Sequence, residues 1–321
     1  MDKVLVIDPA LAPFVDRLAA SLPQGITIDI VSDFSDEDLA RRAADATIFI
    51  DARRRIDGST LAMAPNLRFI QFMGVGFDPV DRGAAASAGV AVAYMPGVNR
   101  IGAAEHTVML MLALLKRVAL TEAMTRDGRF VPSDIIVAGI DDLADATVGL
   151  LGLGQIGSAV AERLAPFGPT IVYHTRQPLA DAERRLGASY VSFEELLRRS
   201  TIVSLHLPLS AETHHLIGAP EFASMPPGSY LINVGRGGLV DEAALRAAIT
   251  SGHLAGAGLD VVEGEIEGIN PFADLPQVIV TPHVAGGSRN SMRNVVERCT
   301  DNINRYLAGE PLRDLLPAPT D

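Results

Sequence analysis

The sequence predicts an α/β protein made of two doubly wound parallel-sheet domains. Three observations carry that expectation. Strand-like apolar runs alternate with helix-patterned segments along all 321 residues. The length suits two domains at about 100–200 residues each. With 48% hydrophobic and 21% charged residues, the composition is that of an ordinary globular chain with enough apolar material for two cores.

The first series of strands is expected at Val4–Ile7, Ile26–Val31, Thr47–Ile50, Leu67–Gln71 and Val90–Ala93, with helical spacing between them, as in Ser35–Ala44. A second series at Thr147–Leu151, Thr170–Tyr173, Thr201–Leu205, Tyr230–Val234, Ala257–Val261 and Val278–Thr281 suffices for a six-stranded nucleotide-binding sheet. Between the two lies Ile101–Arg117, apolar from Val108 onward with no polar face. Such a helix is expected to be buried on all sides, between domains or at a subunit interface, which favours a homodimer. Near the end, Val295, Val296, Cys299, Ile303 and Leu307 keep helical spacing before Gly309 and Pro311, and this helix is expected to cross back to the first domain.

Charge narrows the partners. Lysine plus arginine total 27 against 39 aspartate plus glutamate, a net −12, the wrong sign for neutralising nucleic acid or an anionic membrane. The single Cys299 can make neither an intramolecular disulfide nor a Cys-rich metal site, which points to a structural thiol in a reducing compartment. The start, Met1-Asp2-Lys3 and then Val4-Leu5-Val6-Ile7, reads as folded sequence rather than a signal peptide. The longest apolar block, Val108 to Leu115, falls short of the ~20 residues that cross a bilayer, so a cytoplasmic protein is expected.

The segment Gly152-Leu153-Gly154-Gln155-Ile156-Gly157 has the form G-x-G-x-x-G. It follows an apolar strand and opens a helix with an expected core face of Ile156, Val160, Leu164 and Phe167, closed by Gly168-Pro169. Gly152 would make the tight turn, Gly154 would let a pyrophosphate approach the helix start, and Gly157 would pack helix on sheet. Gln155 and Ile156 lie between them, and all five are cofactor-binding candidates. A carboxylate for a free ribose is expected about 20 residues further on. Instead the second strand ends in Tyr173 and continues His174-Thr175-Arg176, with no Asp or Glu before Asp181. A guanidinium beside a hydroxyl suits a 2′-phosphate, so NADP(H) is favoured and NAD(H) is possible.

Reactive residues cluster at the ends of later strands: Arg236 after Val234, Asp260 followed by Glu265, and His283 after Thr281. A permanent cation, a carboxylate and a histidine there could bind an anionic substrate and move a proton. Together Gly152–Gly157, Asn233-Val234-Gly235-Arg236-Gly237, Gly258-Leu259-Asp260-Val261 and Thr281-Pro282-His283 resemble, in order and spacing, the D-isomer-specific 2-hydroxyacid dehydrogenases, in particular those of the glyoxylate and hydroxypyruvate reductase type. Gly74-Val75-Gly76-Phe77-Asp78-Pro79-Val80-Asp81 is similar to the family's substrate loop, and Asn99 with Ala104-Glu105-His106 to its link into the cofactor domain. The resemblance covers nearly the whole chain.

It implies a Rossmann NAD(P)-binding domain at 99–287 inserted in a discontinuous, flavodoxin-like substrate domain at 1–98 and 288–321. It also implies that Arg236 binds the substrate carboxylate and polarises the keto oxygen, that His283 is the general acid, and that Glu265 pairs with it and favours the imidazolium. Backbone N–H groups of Val75 and Gly76 would take the other side of the carboxylate, and Asp260 the nicotinamide carboxamide. The segment from His206 through Pro208 looks like the wall for the adenosine half, and Val234, Gly235 and Gly286 complete the cofactor set.

The departures are informative. The family commonly has proline directly after the glutamate, whereas Gly264-Glu265-Ile266-Glu267 has none, and Glu263 and Glu267 are rivals that the spacing from Asp260 disfavours. There is no tryptophan to shape the substrate pocket. His106, His206, His214, His215 and His253 read as structural or solvated rather than catalytic, and no metal-ligand spacing such as H-E-x-x-H occurs. The implied activity is reduction of a small 2-keto acid such as glyoxylate or hydroxypyruvate, and the position of the last residues leaves no room for the regulatory domain of some phosphoglycerate dehydrogenases. Two alternatives stay open: a nucleotide-sensing module of the corepressor type, and a dehydrogenase of another small donor such as phosphite. Glutamate rather than glutamine at 265 speaks against formate.

Overall fold

The computed structural model describes residues 2–265 and 268–316. The chain folds as two compact units. One runs to Val98 and resumes at Arg289; the other is Asn99–Ser288. No helix among the described residues is long and apolar enough to cross a membrane.

The first unit holds β1 (Lys3–Val6), β2 (Thr27–Ile30), β3 (Ile48–Asp51), β4 (Phe69–Phe72) and β5 (Ala91–Ala93), all parallel, in the order β2-β1-β3-β4-β5. This is the flavodoxin-like doubly wound order. β3 and β4 are buried at every position, because helices cover both faces of a parallel sheet. One covering helix is Arg289–Ala308, which places Val295, Val296, Cys299 and Ile303 against Val4, Val6, Ile48, Ile50 and Phe69. Its buried Asn302 donates to the buried Gln71 Oε1 at 2.8 Å, so these two polar side chains satisfy each other within the layer.

The second unit holds β6 (Thr147–Leu151), β7 (Thr170–His174), β8 (Ser189–Tyr190), β9 (Ile202–Leu205), β10 (Ser229–Asn233), β11 (Leu254–Leu259) and β12 (Val278–Val280) in the order β12-β11-β10-β9-β6-β7-β8, again all parallel. It has seven strands, not six. The additional β8 has only two residues and gives no periodic signal, yet it pairs with Val172 and Tyr173 at the sheet edge. β11 begins three residues before its expected start, because its glycines break the apolar pattern. Those glycines have a packing reason: a Cβ on Gly258 would stand 3.0 Å from Leu110 Cβ, and one on Gly256 2.4 Å from the Gln277 carbonyl oxygen.

In the single chain, Ala104, Val108, Leu110, Met111 and Leu114 of the helix Arg100–Leu115 join the second unit's core, while Met109 is 43% exposed on the outer face, the side left for the expected subunit contact. One helix expectation is corrected: Phe167 does not extend the core face of Gln155–Leu164. The helix stops at Leu164, Pro166 leads into a 3-10 turn, and Phe167 is 44% exposed before the left-handed Gly168.

Candidate active site

The residues with reactive side chains stand where β10, β11 and β12 end. Asn233, the last residue of β10, is buried and braces the following turn: its Nδ2 donates to the Arg236 carbonyl at 2.8 Å, and its Oδ1 accepts the Gly235 N–H at 3.0 Å. Arg236 is half-buried, with Nη1 donating to the Gly235 carbonyl at 2.8 Å. The next residue must be glycine, since a Cβ on Gly237 would lie 2.2 Å from Val262 C and 2.5 Å from Glu263 N. The Arg236 turn and the 261–265 loop are therefore in direct backbone contact.

Asp260, buried just beyond β11, organises the loop after β12. Its Oδ1 accepts the Thr281 hydroxyl at 2.5 Å and the Val284 N–H at 3.0 Å, and Oδ2 accepts the Ala285 N–H at 2.8 Å. Thr281 Oγ1 in turn lies 2.8 Å from His106 Nε2. Because the single Thr281 proton goes to Asp260, His106 must be the donor, through its Nε2–H. Within this frame His283 takes a left-handed backbone (φ 52°), its N–H donating to the carbonyls of Asp260 and Thr281 at 2.8 and 2.9 Å. That conformation is costly for a non-glycine residue and is held here by the loop's hydrogen bonds.

The side chain so presented has Nδ1 at 2.7 Å from Glu265 Oε1. An ionised carboxylate only accepts, so Nδ1 carries the donated proton and Nε2 is the nitrogen left for a proton in flight. Glu263 is not placed with His283: its Oε1 stands 3.0 Å from His215 Nε2 and 3.7 Å from His214 Nε2. The other rival, Glu267, lies outside the described residues, as does Ile266.

The glycine-rich turn separates fold from ligand. A Cβ on Gly152 (φ 95°) would meet the His206 carbonyl oxygen at 2.5 Å, and one on Gly157 the Gly152 carbonyl oxygen at 2.2 Å; these two are required by the protein's own packing. At Gly154 nothing lies within 4 Å. The helix starting at Gln155 has no side-chain cap, so among the described residues its first N–H groups take no capping side chain, and Ile156 follows on the first turn. An open position beside uncapped helix donors fits a dinucleotide pyrophosphate. At the end of β7, His174 Nδ1 bonds the Val191 carbonyl at 3.0 Å and its ring stacks on Tyr190, while the Thr175 hydroxyl donates to the Gln177 carbonyl at 2.6 Å. Arg176 follows, exposed.

His206 Nε2 bonds Ser204 Oγ at 2.9 Å; burial lowers the ring to about 4, leaving it neutral. Among the described residues its buried Nδ1 has no partner. Leu207 and the exposed Pro208 continue the wall, the Leu207 carbonyl 3.3 Å from where Gly235 would carry a Cβ, and Val234 lies half-buried beside that turn. Gly286 packs on Asn99, whose Nδ2 would lie 2.4 Å from an added Cβ. Val75 and Gly76 lie in the first unit's loop between β4 and the helix Arg82–Ser87, half-buried. Three residues with no assigned side-chain role from spacing prove structural to the site: Asn233, Thr281 and His106. The signal for His106 was only its place in Ala104-Glu105-His106.

Residues 108–285 match the D-isomer specific 2-hydroxyacid dehydrogenase NAD binding domain. The chain belongs to this dehydrogenase family. The Aeropyrum pernix glyoxylate reductase is 38% identical over 277 residues, covering 84% of this chain and 82% of that one. The Archaeoglobus fulgidus D-3-phosphoglycerate dehydrogenase is 33% identical over 322 residues, and the alignment spans 99% of this chain but 60% of the relative. Among solved structures, the Aquifex aeolicus D-lactate dehydrogenase complexed with NAD and lactic acid superimposes with a TM-score of 0.84 at 29% identity, over 96% of each chain. As a 2-hydroxyacid dehydrogenase the protein is an oxidoreductase with an NAD(P)-binding domain, and two all-parallel α/β units are the architecture predicted.

Proposed function

We propose that this dehydrogenase reduces a small 2-keto acid, such as glyoxylate or hydroxypyruvate, to the D-2-hydroxy acid, with NADPH favoured over NADH. The observation that carries the reading is the 2.7 Å pair of His283 and Glu265 on the loop next to the Arg236 turn. The dinucleotide, when bound, supplies the hydride. Arg236 binds the substrate carboxylate with its forked guanidinium and polarises the keto oxygen. His283 donates the Nε2 proton to the developing alkoxide, and Glu265 holds the imidazolium in line. Asp260 acts first as a positioning residue for the 281–285 loop; contact with a carboxamide would add to its three loop donors. Val75 and Gly76 are proposed as substrate contacts from the family resemblance.

The NADPH preference rests on β7 ending without a carboxylate and on the exposed Arg176. The homodimer reading rests on the apolar helix Arg100–Leu115, whose Met109 is 43% exposed, and is supported by nearby apolar residues of the second unit: Phe130 is 85%, Ile136 69% and Val137 87% exposed. A second copy of the chain is the proposed occupant, and light scattering checks its mass. The function is tested by following NADPH and NADH oxidation in parallel near pH 7 with glyoxylate, hydroxypyruvate, pyruvate and bulkier 2-keto acids. Faster turnover with NADPH on one of the small acids supports the reading. Binding of both cofactors without oxidation by any acid overturns it in favour of a nucleotide-sensing module.

A further inference from the structure

Away from the His283 loop, two histidines and a carboxylate converge from separate stretches of the second unit. His214 and His215 follow β9, and Glu263 follows β11. Their ligand-capable atoms all lie within 4.8 Å of one another. Glu263 Oε1 is 3.0 Å from His215 Nε2 and 3.7 Å from His214 Nε2. Bonds of about 2.0–2.2 Å to a tetrahedral cation put ligand atoms roughly 3.4 Å apart, a value the two separations bracket. We propose that His214, His215 and Glu263 form a binding site for a divalent transition-metal cation of the zinc type.

The imidazole rings stand side by side, with centroids 4.0 Å apart and planes 25° apart, so both histidines are within reach of one ion. A second carboxylate sits against the cluster, Glu242 Oε1 accepting the Glu263 N–H at 2.7 Å. A divalent cation suits a site flanked by two carboxylates. Imidazole nitrogen and carboxylate oxygen are also the donors that zinc-type ions take.

The site is prearranged by the backbone. His215 adopts a left-handed conformation (φ 50°), its N–H donating to the Gly238 carbonyl at 2.7 Å, and Ile217 N–H donates to Leu239 at 3.1 Å. The histidine pair is thereby docked on the turn that follows Arg236, and Glu263 belongs to the loop that carries Glu265. A bound ion would clamp two loops, one of which carries Glu265, against the turn that follows Arg236, without touching His283.

The test uses the whole chain, dialysed against chelator and titrated calorimetrically with Zn2+ alone near pH 7.5, with melting temperature as a second readout. One ion per chain and a raised melting temperature are expected. His214→Gln and Glu263→Gln should each weaken binding at least ~10-fold and remove the melting shift. Should His214→Gln lower the metal-free melting temperature, Glu263→Gln decides the matter. Absence of stoichiometric binding overturns the proposal, as does binding undiminished in Glu263→Gln or lost instead in His283→Asn, which would place the ion on the Glu265 pair.

Discussion

Glu265 and His283 meet at 2.7 Å although 18 residues separate them, because the loop after β11 and the loop after β12 are both anchored on Asp260. The pairing therefore depends on a buried carboxylate that touches neither side chain. Removing the imidazole tests its consequence without disturbing the loop. Asparagine tolerates the left-handed backbone at 283, so His283→Asn is expected to fold and bind cofactor normally while turnover falls at least ~100-fold. Steady-state kinetics with cofactor titration checks this, and near-normal turnover would remove His283 from proton transfer.

Arg236 offers a fork where lysine offers a point charge. Arg236→Lys is expected to raise the Michaelis constant for the keto acid and lower turnover together, with cofactor affinity unchanged. Unaltered kinetics would place the substrate carboxylate elsewhere.

The three glycines of the turn should respond differently to one added methyl. Gly157→Ala drives a Cβ into the Gly152 carbonyl and is expected to cost about 1–3 kcal/mol of stability. Gly154→Ala meets open space and an ordinary φ of −73°, so its melting temperature should match the parent's while cofactor affinity drops. Thermal melts beside cofactor fluorescence titrations separate the two, and equal loss of stability in both would refute the distinction.

Acid and base act oppositely on the two units. Burial, with the nearby Asp8 charge, raises Asp51 from 3.8 to about 7, so between those values the folded state keeps a proton that the unfolded chain releases. Stability of the first unit then falls as pH rises through that window, by at most about 4 kcal/mol. In the second unit, burial lowers His206 from 6.5 to about 4, so the unfolded chain binds the extra proton and stability falls as pH drops from 6.5 toward 4. Calorimetry of Asp51→Asn should show a gain at pH 8 and a flatter profile above pH 4; an unchanged profile would count against the buried, protonated Asp51.

Strand-helix alternation made both sheets legible, since strands such as β5 and β12 are unbroken apolar runs. β8 escaped because two residues carry no period, and the start of β11 because its glycines serve close packing rather than hydrophobicity. At the site, residues that chemistry selects by type, Arg236, Glu265 and His283, stood out. Asp260 stood out by type as well, but its bracing of the 281–285 loop, the Asn233 brace and the relay of Thr281 and His106 are visible only in the folded chain, because their meaning lies in distances across the fold.

The chain enters the second unit at Asn99 and leaves it at Ser288, and these ends touch: Gly286 packs on the Asn99 side chain, and Gly102 on the Ala285 carbonyl, where a Cβ would come within 3.1 Å. A unit whose two ends share one doorway can be lifted out without being opened. Residues 99–288 expressed alone should therefore fold and hold the dinucleotide, as a fluorescence titration would reveal. An insertion of this kind adds a whole functional body to a host chain at the expense of a single cut.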